Sequence, residues 1–241
     1  CALPISQALP ELTPDGDVVA PSAISLKSFG QQKEHDAREM TAEEIEQTIR
    51  DFGEATRRAI EAGFDGVEIH GANHYLIHQF VSPYYNRRND VWADNYKFPV
   101  AVIDEVVKAK KAHAYDDFII GYRLSPEEAE SPGISMEITE ELIHQIANKP
   151  LDYIHVSLMD VNSVTREGKY KGENRLELIH QWINGRMPLI GIGSVFTAED
   201  ALNAVENIGV EFVALGREIL LDYDFVAKIK EGREDEIDRK S

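Results

Sequence analysis

A single cysteine, Cys1, occurs in the 241 residues, so no disulfide can form within the chain, and a secreted fold stapled by cystines is excluded. A reducing, cytoplasmic setting is the expectation. Positive charge is scarce as well: 25 Lys and Arg stand against 43 Asp and Glu, a formal net charge of −18. Neutralising a phosphate backbone needs clustered Lys and Arg, so no nucleic-acid partner is expected. No stretch approaches the roughly 18 uninterrupted apolar residues of a membrane span, and no charged-then-apolar leader opens the sequence, so no membrane insertion is expected. The apolar content, 43%, is ordinary for a globular protein and sufficient for one domain or most of one. Residue 1 is Cys and not Met, and the expectation is a piece of a longer protein.

Residues 1–38 carry Pro4, Pro10, Pro14, Gly16, Pro21 and Gly30 with little periodicity, and read as an irregular loop region. From residue 39 to 241 helices and strands alternate. Thr41 and Glu44 have the spacing of a capping box, followed by Ile45, Ile49, Phe52 and Ile60 at helical intervals until Gly63. A strand at Val67–His70 comes next. The alternation continues with helices near Pro99–Lys111, Ile138–Asn148, Arg175–Asn184 and Ala198–Asn207. Between and after them lie strands at Phe118–Leu124, Tyr153–Ser157, Leu189–Ile192 and Phe212–Leu215. Strands that recur after helical crossovers imply a parallel sheet, and continuous apolar runs such as Phe212–Leu215 imply burial on both faces. The class is α/β, with a doubly wound sheet and a barrel both open at that level.

Polar residues decide between them. They fall at the carboxyl ends of successive strands: His70, then Arg123, then Gly193 and Ser194, then Gly216 and Arg217. Convergence on one rim favours a TIM (β/α)8 barrel. The last two loops suit a phosphate, because backbone N–H groups and a helix amino terminus favour an anion there. Thr197 is placed to cap the helix after Gly193, leaving that helix dipole facing the site. Within DGVEIHGANHYL, residues 65–76, an apolar strand runs into His70, Asn73 and Tyr75, which places two neutral hydrogen-bond donors and a phenol in one turn.

Four ordered segments carry a family resemblance: AGFDGVEIHGANHYLIHQFVSPYYNRRND at 62–90, GYRLSP at 121–126, PLIGIGSVFTAEDA at 188–201 and VALGREILLDYDF at 213–225. Together they resemble the Old Yellow Enzyme family, the NADH:flavin oxidoreductases or FMN-dependent ene-reductases. The resemblance implies a barrel of which only the last five strands, 4 to 8, are present, with the first three missing. It implies FMN as cofactor, NADH or NADPH as reductant, and an electron-poor alkene as substrate. By position, His70 and Asn73 resemble the pair that polarises the substrate's carbonyl or nitro oxygen as negative charge develops. Tyr75 resembles the proton donor to the α-carbon, since a phenol keeps its proton at neutral pH until a carbanion-like centre takes it. Arg123 resembles the arginine at the flavin's N1 and C2-oxygen edge. Gly193, Ser194, Gly216 and Arg217 resemble the FMN phosphate loops. In two places the sequence departs from the family: His74 stands where Gly is usual, and the glycine-rich segment after Asp90 is shortened to Val91–Tyr96.

Blander readings exist for each residue. A strand-end His is often only a hydrogen-bonded rim residue, Arg123 could be a core ion-pair partner, and the glycines could serve tight turns. His70, His74 and His78 recur at intervals of four, but His70 belongs to the strand end. Only His74 and His78 could share a helical face, no third ligand is suggested, and no metal site is expected. Missing strands would leave two sheet edges and an exposed apolar interior, which favour homo-oligomers or association through those edges. The alternative to an enzyme is therefore a flavin-free half-barrel acting as a scaffold or assembly piece. A third reading is another phosphate-binding barrel enzyme, an isomerase or aldolase; a Schiff-base aldolase is disfavoured because no Lys falls at a strand end.

Overall fold

The computed structural model describes residues 16–27, 34–113 and 115–238. Its first element is a small sheet in which β1 (Val19–Ala20) pairs in parallel with β3 (Glu34–Glu39), and β3 pairs antiparallel with β2 (Ile24–Lys27). These strands correct the irregular reading of residues 1–38 over the part described. Glu34–Glu39 reads EHDARE, with no apolar alternation to betray a strand. Tertiary contacts fix it instead: Val18, Ala20, Ala37 and Tyr85 form a separate buried cluster. The buried Arg88 guanidinium donates from Nη1 to the carbonyls of Pro21 and Met40, each at 2.7 Å, and pairs with Asp90 at 2.6 Å.

Helix α1 (Ala42–Glu61) starts where the capping box requires, with Glu44 N–H donating to Thr41 Oγ1 at 3.2 Å and Thr41 N–H donating to Glu44 Oε2 at 2.8 Å. It packs on α3 (Lys97–Ala112), whose Phe98, Val102, Ile103 and Val106 are buried. Between these helices lie β4 (Gly66–Gly71) and the short α2 (Leu76–Val81). The alternation then runs β5 (Ile119–Leu124), α4 (Met136–Ile146), β6 (Tyr153–Val156), α5 (Arg175–Ile183), β7 (Leu189–Ile192) and α6 (Ala198–Asn203). A π-helical turn, Ala204–Ile208, extends α6 before β8 (Phe212–Ala214), α7 (Arg217–Leu221) and α8 (Phe225–Lys230). No helix among the described residues is long and apolar enough to cross a membrane.

The five strands β4 to β8 pair in parallel in chain order. Side chains alternate between the two faces of a strand, and the two faces differ here. Ile69, Ile120, Tyr122, Leu124, Ile154, Val156 and Leu189 are buried and join the main core with residues of the crossover helices. The opposite face carries Glu68, His70, Ile119, Arg123, Tyr153 and His155, and there Glu68 and Ile119 are exposed. A doubly wound sheet would cover both faces with helices; a barrel wall is covered on one. Strand β8 departs from the expectation that both faces of Phe212–Leu215 are buried, because Phe212 is 58% exposed. Among the described residues β8 has β7 as its sole strand neighbour, so its inward-facing side chain has little to pack against.

One glycine sets the inner face. A Cβ at Gly121 would lie 2.0 Å from the Tyr153 ring, so the bare backbone of β5 lets that ring lie across it. Tyr153 thereby reaches Glu68, one strand further on, with a 3.1 Å hydrogen bond. Gly121→Val is expected to destabilise the fold by about 1–3 kcal/mol through overpacking, seen as a lower urea midpoint with an unchanged m-value. Adding Tyr153→Ala should recover most of the loss. An unchanged midpoint in Gly121→Val alone would show that the ring moves aside freely.

Candidate active site

The carboxyl ends of β4, β5 and β6 meet in one hydrogen-bonded cluster. His70 and Arg123 are register partners on β4 and β5, and His155 is the partner of Arg123 on β6. Beyond His70 the chain turns through Asn73 at φ 58° and His74 at φ 60°, a left-handed conformation that residues other than Gly adopt at a cost. Hydrogen bonds hold this turn. Asn73 N–H donates to Ser125 Oγ at 3.0 Å, while the hydroxyls of Ser125 and Ser157 donate to Asn73 Oδ1 at 3.2 and 3.1 Å. With Oδ1 accepting two hydroxyls, the Nδ2 amide is the remaining donor of Asn73. Arg123 Nη2 donates to Ser157 Oγ at 3.0 Å, so the same network orients the guanidinium.

Tyr75 follows the turn as the residue before the first turn of α2, and its ring meets that of His70 edge-on, with centroids 4.8 Å apart. His70 is held below the ordinary imidazole range, first by burial and then by the positive charge of Arg123. It is therefore a neutral donor at physiological pH. Behind it on the inner face, Glu68 accepts from His155 at 2.9 Å and from Tyr153 at 3.1 Å. Burial pushes the Glu68 carboxyl up, but His155, Tyr153 and Arg123 together outweigh it and hold it below the usual range. Tyr153 itself is pushed up to about 12 by burial and by Glu68.

The other two strand ends carry the anion-binding candidates. Ile192 of β7 and Ala214 of β8 are register partners, so the loops that follow them are neighbours. Gly193, at φ 132°, has no room for a Cβ, which would lie 2.5 Å from the Asp160 backbone nitrogen. Ser194, at φ 51°, donates its hydroxyl to the Met159 carbonyl at 2.8 Å. Gly216 faces open space, with nothing within 4 Å of an added Cβ. Its N–H donates to Glu218 Oε2 at 2.9 Å. Arg217 lies over the Phe196 ring at 5.2 Å and forms no ion pair among the described residues. Beside it is a cavity of about 530 Å³ lined by Phe196, Arg217, Leu220, Leu221, Phe225 and Ile237.

All eight candidate residues therefore stand at the same edge of one sheet or in the loops leaving it. Two expectations need correction. Thr197 does cap α6, but a carboxylate also sits at that helix end: Asp200 Oδ2 accepts from the N–H groups of Phe196 and Thr197 at 3.0 and 2.9 Å, so these two donors are already taken. The second is the reading that no third group stands near His74 and His78: Glu128 lies beside both, a neighbour that spacing alone could not suggest. Sequence reading also passed over Ser125 and Ser157, which fix Asn73. Their signal was position alone, a hydroxyl just past each of two adjacent strands.

The described residues fit a flavin nucleotide. Arg123 Nε and His70 Nδ1 are buried and have no hydrogen-bond partner among them, a deficit that a polar heterocycle on the inner face would fill. Gly216 offers backbone beside free space, with the Arg217 guanidinium next in the chain.

Comparison with known proteins agrees. The profile of the NADH:flavin oxidoreductase / NADH oxidase family matches residues 4–236. The chain is 50% identical over 232 residues to "Probable NADH-dependent flavin oxidoreductase YqiG" of Bacillus subtilis (strain 168), covering 95% of the chain and 61% of that protein. It is 40% identical over 238 residues to "NADH:fumarate oxidoreductase" of Klebsiella pneumoniae (strain 342), covering 95% of the chain and 25% of that protein. Morphinone reductase in complex with tetrahydroNAD has a similar fold, at a TM-score of 0.73 and 23% identity, over 95% of this chain and 64% of that one. The chain thus spans about three fifths or less of the length of these curated relatives. On the family profile and the 50% identity, with four motifs in order along one sheet edge, the chain belongs to the NADH:flavin oxidoreductase / NADH oxidase family, the Old Yellow Enzyme group.

Proposed function

We propose that this chain forms the substrate-side wall of an FMN-dependent NAD(P)H oxidoreductase that reduces electron-poor alkenes, and that β4 to β8 are five of the eight strands of its barrel. The observation that carries the reading is the donor cluster at the β4 end: a neutral His70, an Asn73 whose carbonyl oxygen is already saturated by two serines, and Tyr75 against the His70 ring. A neutral pair of N–H donors suits an oxygen that gains negative charge in the transition state. The name of the Klebsiella relative, a fumarate oxidoreductase, extends the alkene class from enones to unsaturated acids. The names of both curated relatives favour NADH as reductant.

When bound, FMN supplies hydride drawn from NADH or NADPH to the β-carbon of the alkene. The chain's own groups do the rest. His70 and Asn73 bind and polarise the substrate's oxygen, and Tyr75 gives its phenolic proton to the α-carbon. Arg123 would hold the flavin's N1 and C2-oxygen edge, where its fixed guanidinium would stabilise negative charge. Gly193, Ser194, Gly216 and Arg217 would hold the phosphate, with Arg217 supplying the positive charge and Gly216 the close backbone approach. For Gly216 N–H to reach a phosphate it must exchange its bond to Glu218. Phe212 and the exposed Leu220 and Tyr223 lie in or after the edge strand β8, where the remaining barrel strands or a second copy would cover apolar surface.

The complete protein is expected to purify with flavin absorbance at close to one FMN per chain; a colourless, flavin-free preparation that takes up no added FMN would support the scaffold alternative. In Tyr75→Phe, reduction of the flavin by NADH should proceed at the wild-type rate while alkene-dependent reoxidation slows by about 10²–10⁴-fold, the range for loss of a positioned proton donor. Equal slowing of both half-reactions would remove Tyr75 from that role.

His70 also makes a pH prediction. Its pKa in the folded protein is below the ordinary value of 6.5, so the unfolded chain binds the proton first as pH falls. The corresponding stability is present above 6.5 and is lost as pH drops toward the folded-state value. His70→Gln should therefore flatten the slope of stability against pH below 6.5, measured by denaturant melts at a series of pH values. A slope identical to wild type would show that the imidazole titrates alike in both states.

A further inference from the structure

Next to the rim, and separate from the groups assigned above, two imidazoles and a carboxylate converge. We infer that His74, His78 and Glu128 form a binding site for one divalent transition-metal ion of the zinc class. His74 Nδ1, His78 Nε2 and a Glu128 carboxylate oxygen all lie within 4.8 Å of one another. Glu128 Oε2 is 2.7 Å from His78 Nε2 and 3.7 Å from His74 Nδ1. Bond lengths of about 2.0–2.1 Å give a ligand-to-ligand edge of roughly 3.3 Å in a tetrahedron, and the two observed spacings bracket that value. The two imidazole nitrogens stand up to 4.8 Å apart, so an ion would need shifts of about half an ångström at the Glu128 pairs and of roughly 1.5 Å between the two rings.

Three further features suit a metal. Glu128 is anchored by its other oxygen: Oε1 accepts from the Ser82 hydroxyl and from Ile134 N–H, the latter at 2.8 Å, which leaves Oε2 turned toward the imidazoles. Carboxylate ligands are commonly held in this way from behind. His74 is half-buried, with its ring 4.6 Å from that of His78 and Tyr85 Oη 3.3 Å from its Nδ1. It keeps this placement at φ 60°, a conformation that glycine would adopt without strain. Finally, the Glu130 carboxylate acts electrostatically on both His74 and Tyr85, and its Oε2 is buried without a hydrogen-bond partner among the described residues. Two imidazoles with one or two carboxylates form a donor set for zinc or for ferrous iron, not for magnesium or calcium.

The ion would clamp the start of α2, which carries Tyr75, to the loop after β5. The test is calorimetric titration of ZnCl2 into the complete, chelator-stripped protein, alongside His74→Gly and His78→Gln. His78→Gln keeps an amide able to bond Glu128, and His74→Gly relieves a strained backbone, so both should fold. Saturation at one Zn²⁺ per chain is expected in wild type, with affinity at least about tenfold weaker in each variant. The wild-type melting temperature should rise with Zn²⁺, and that of His74→Gly should not. Absence of saturable binding at one equivalent would overturn the assignment. So would Zn²⁺ bound equally well by wild type and His74→Gly, since the ion would then sit elsewhere.

Discussion

The parallel register of β4, β5 and β6 is the constraint on which the site depends. Because the strands run the same way, their carboxyl ends share one edge, and because side chains alternate, partners in register share one face. His70, Arg123 and His155 are such partners. A slip of one residue in β5 would turn Arg123 into the helix-packed core and bring Tyr122 or Leu124 to the inner face. The buried side chains of Ile120, Tyr122 and Leu124 oppose that slip, so the apolar face fixes the polar one. At about 25 cal/mol per Å² of apolar surface removed from water, three large buried side chains on one strand outweigh the gain from any single hydrogen bond on the other face.

Electrostatics then assigns roles among groups only a few ångströms apart. His70 is depressed by burial and by Arg123, while Glu68 on the same strand favours its protonated form. Burial and the guanidinium win, and the imidazole is neutral. Glu68 is itself occupied by His155 and Tyr153, which limits its pull on His70. The inner face thus carries a carboxylate, a guanidinium and two imidazoles, with the carboxylate occupied by His155 and Tyr153. At the rim the Asn73 amide and the Tyr75 hydroxyl are donors, the groups that the proposed role at a substrate oxygen requires.

Most of the regular structure was legible in the sequence, because wherever an apolar face meets the core the pattern records it. The Thr41–Glu44 capping box, the strands at Leu189–Ile192 and Tyr153–Val156 and the helix from Arg175 all lie where periodicity and capping put them. The small sheet β1–β3 was not legible, since EHDARE has no apolar alternation and its pairing rests on Arg88 and Tyr85, about fifty residues away. The exposure of Phe212 was hidden for a related reason: an apolar run looks the same at a sheet edge as at its centre. In the candidate site, strand ends pointed to His70 and Arg123, whereas Ser125, Ser157 and Glu128 are brought in by contacts 46 to 84 residues apart. Residue type and local spacing carry no trace of such pairings.

The turn between β4 and α2 shows why these distant contacts matter. Two successive non-glycine residues in the left-handed region each cost on the order of 1 kcal/mol or more, and neither lies in a helix that could absorb the strain. The offset comes from outside the turn. Asn73 gains three bonds to Ser125 and Ser157, the His74 carbonyl accepts from Gln79 Nε2 at 2.8 Å, and the His74 ring packs against His78 and Tyr85. At about 1 kcal/mol per net hydrogen bond, these contacts suffice to hold the turn. Tyr75 gains from this directly, because it follows the turn and has no side-chain capping bond of its own. Its position against His70 is therefore set by the backbone that Asn73 and His74 hold in place, which ties the placement of the phenol to serines on two neighbouring strand ends.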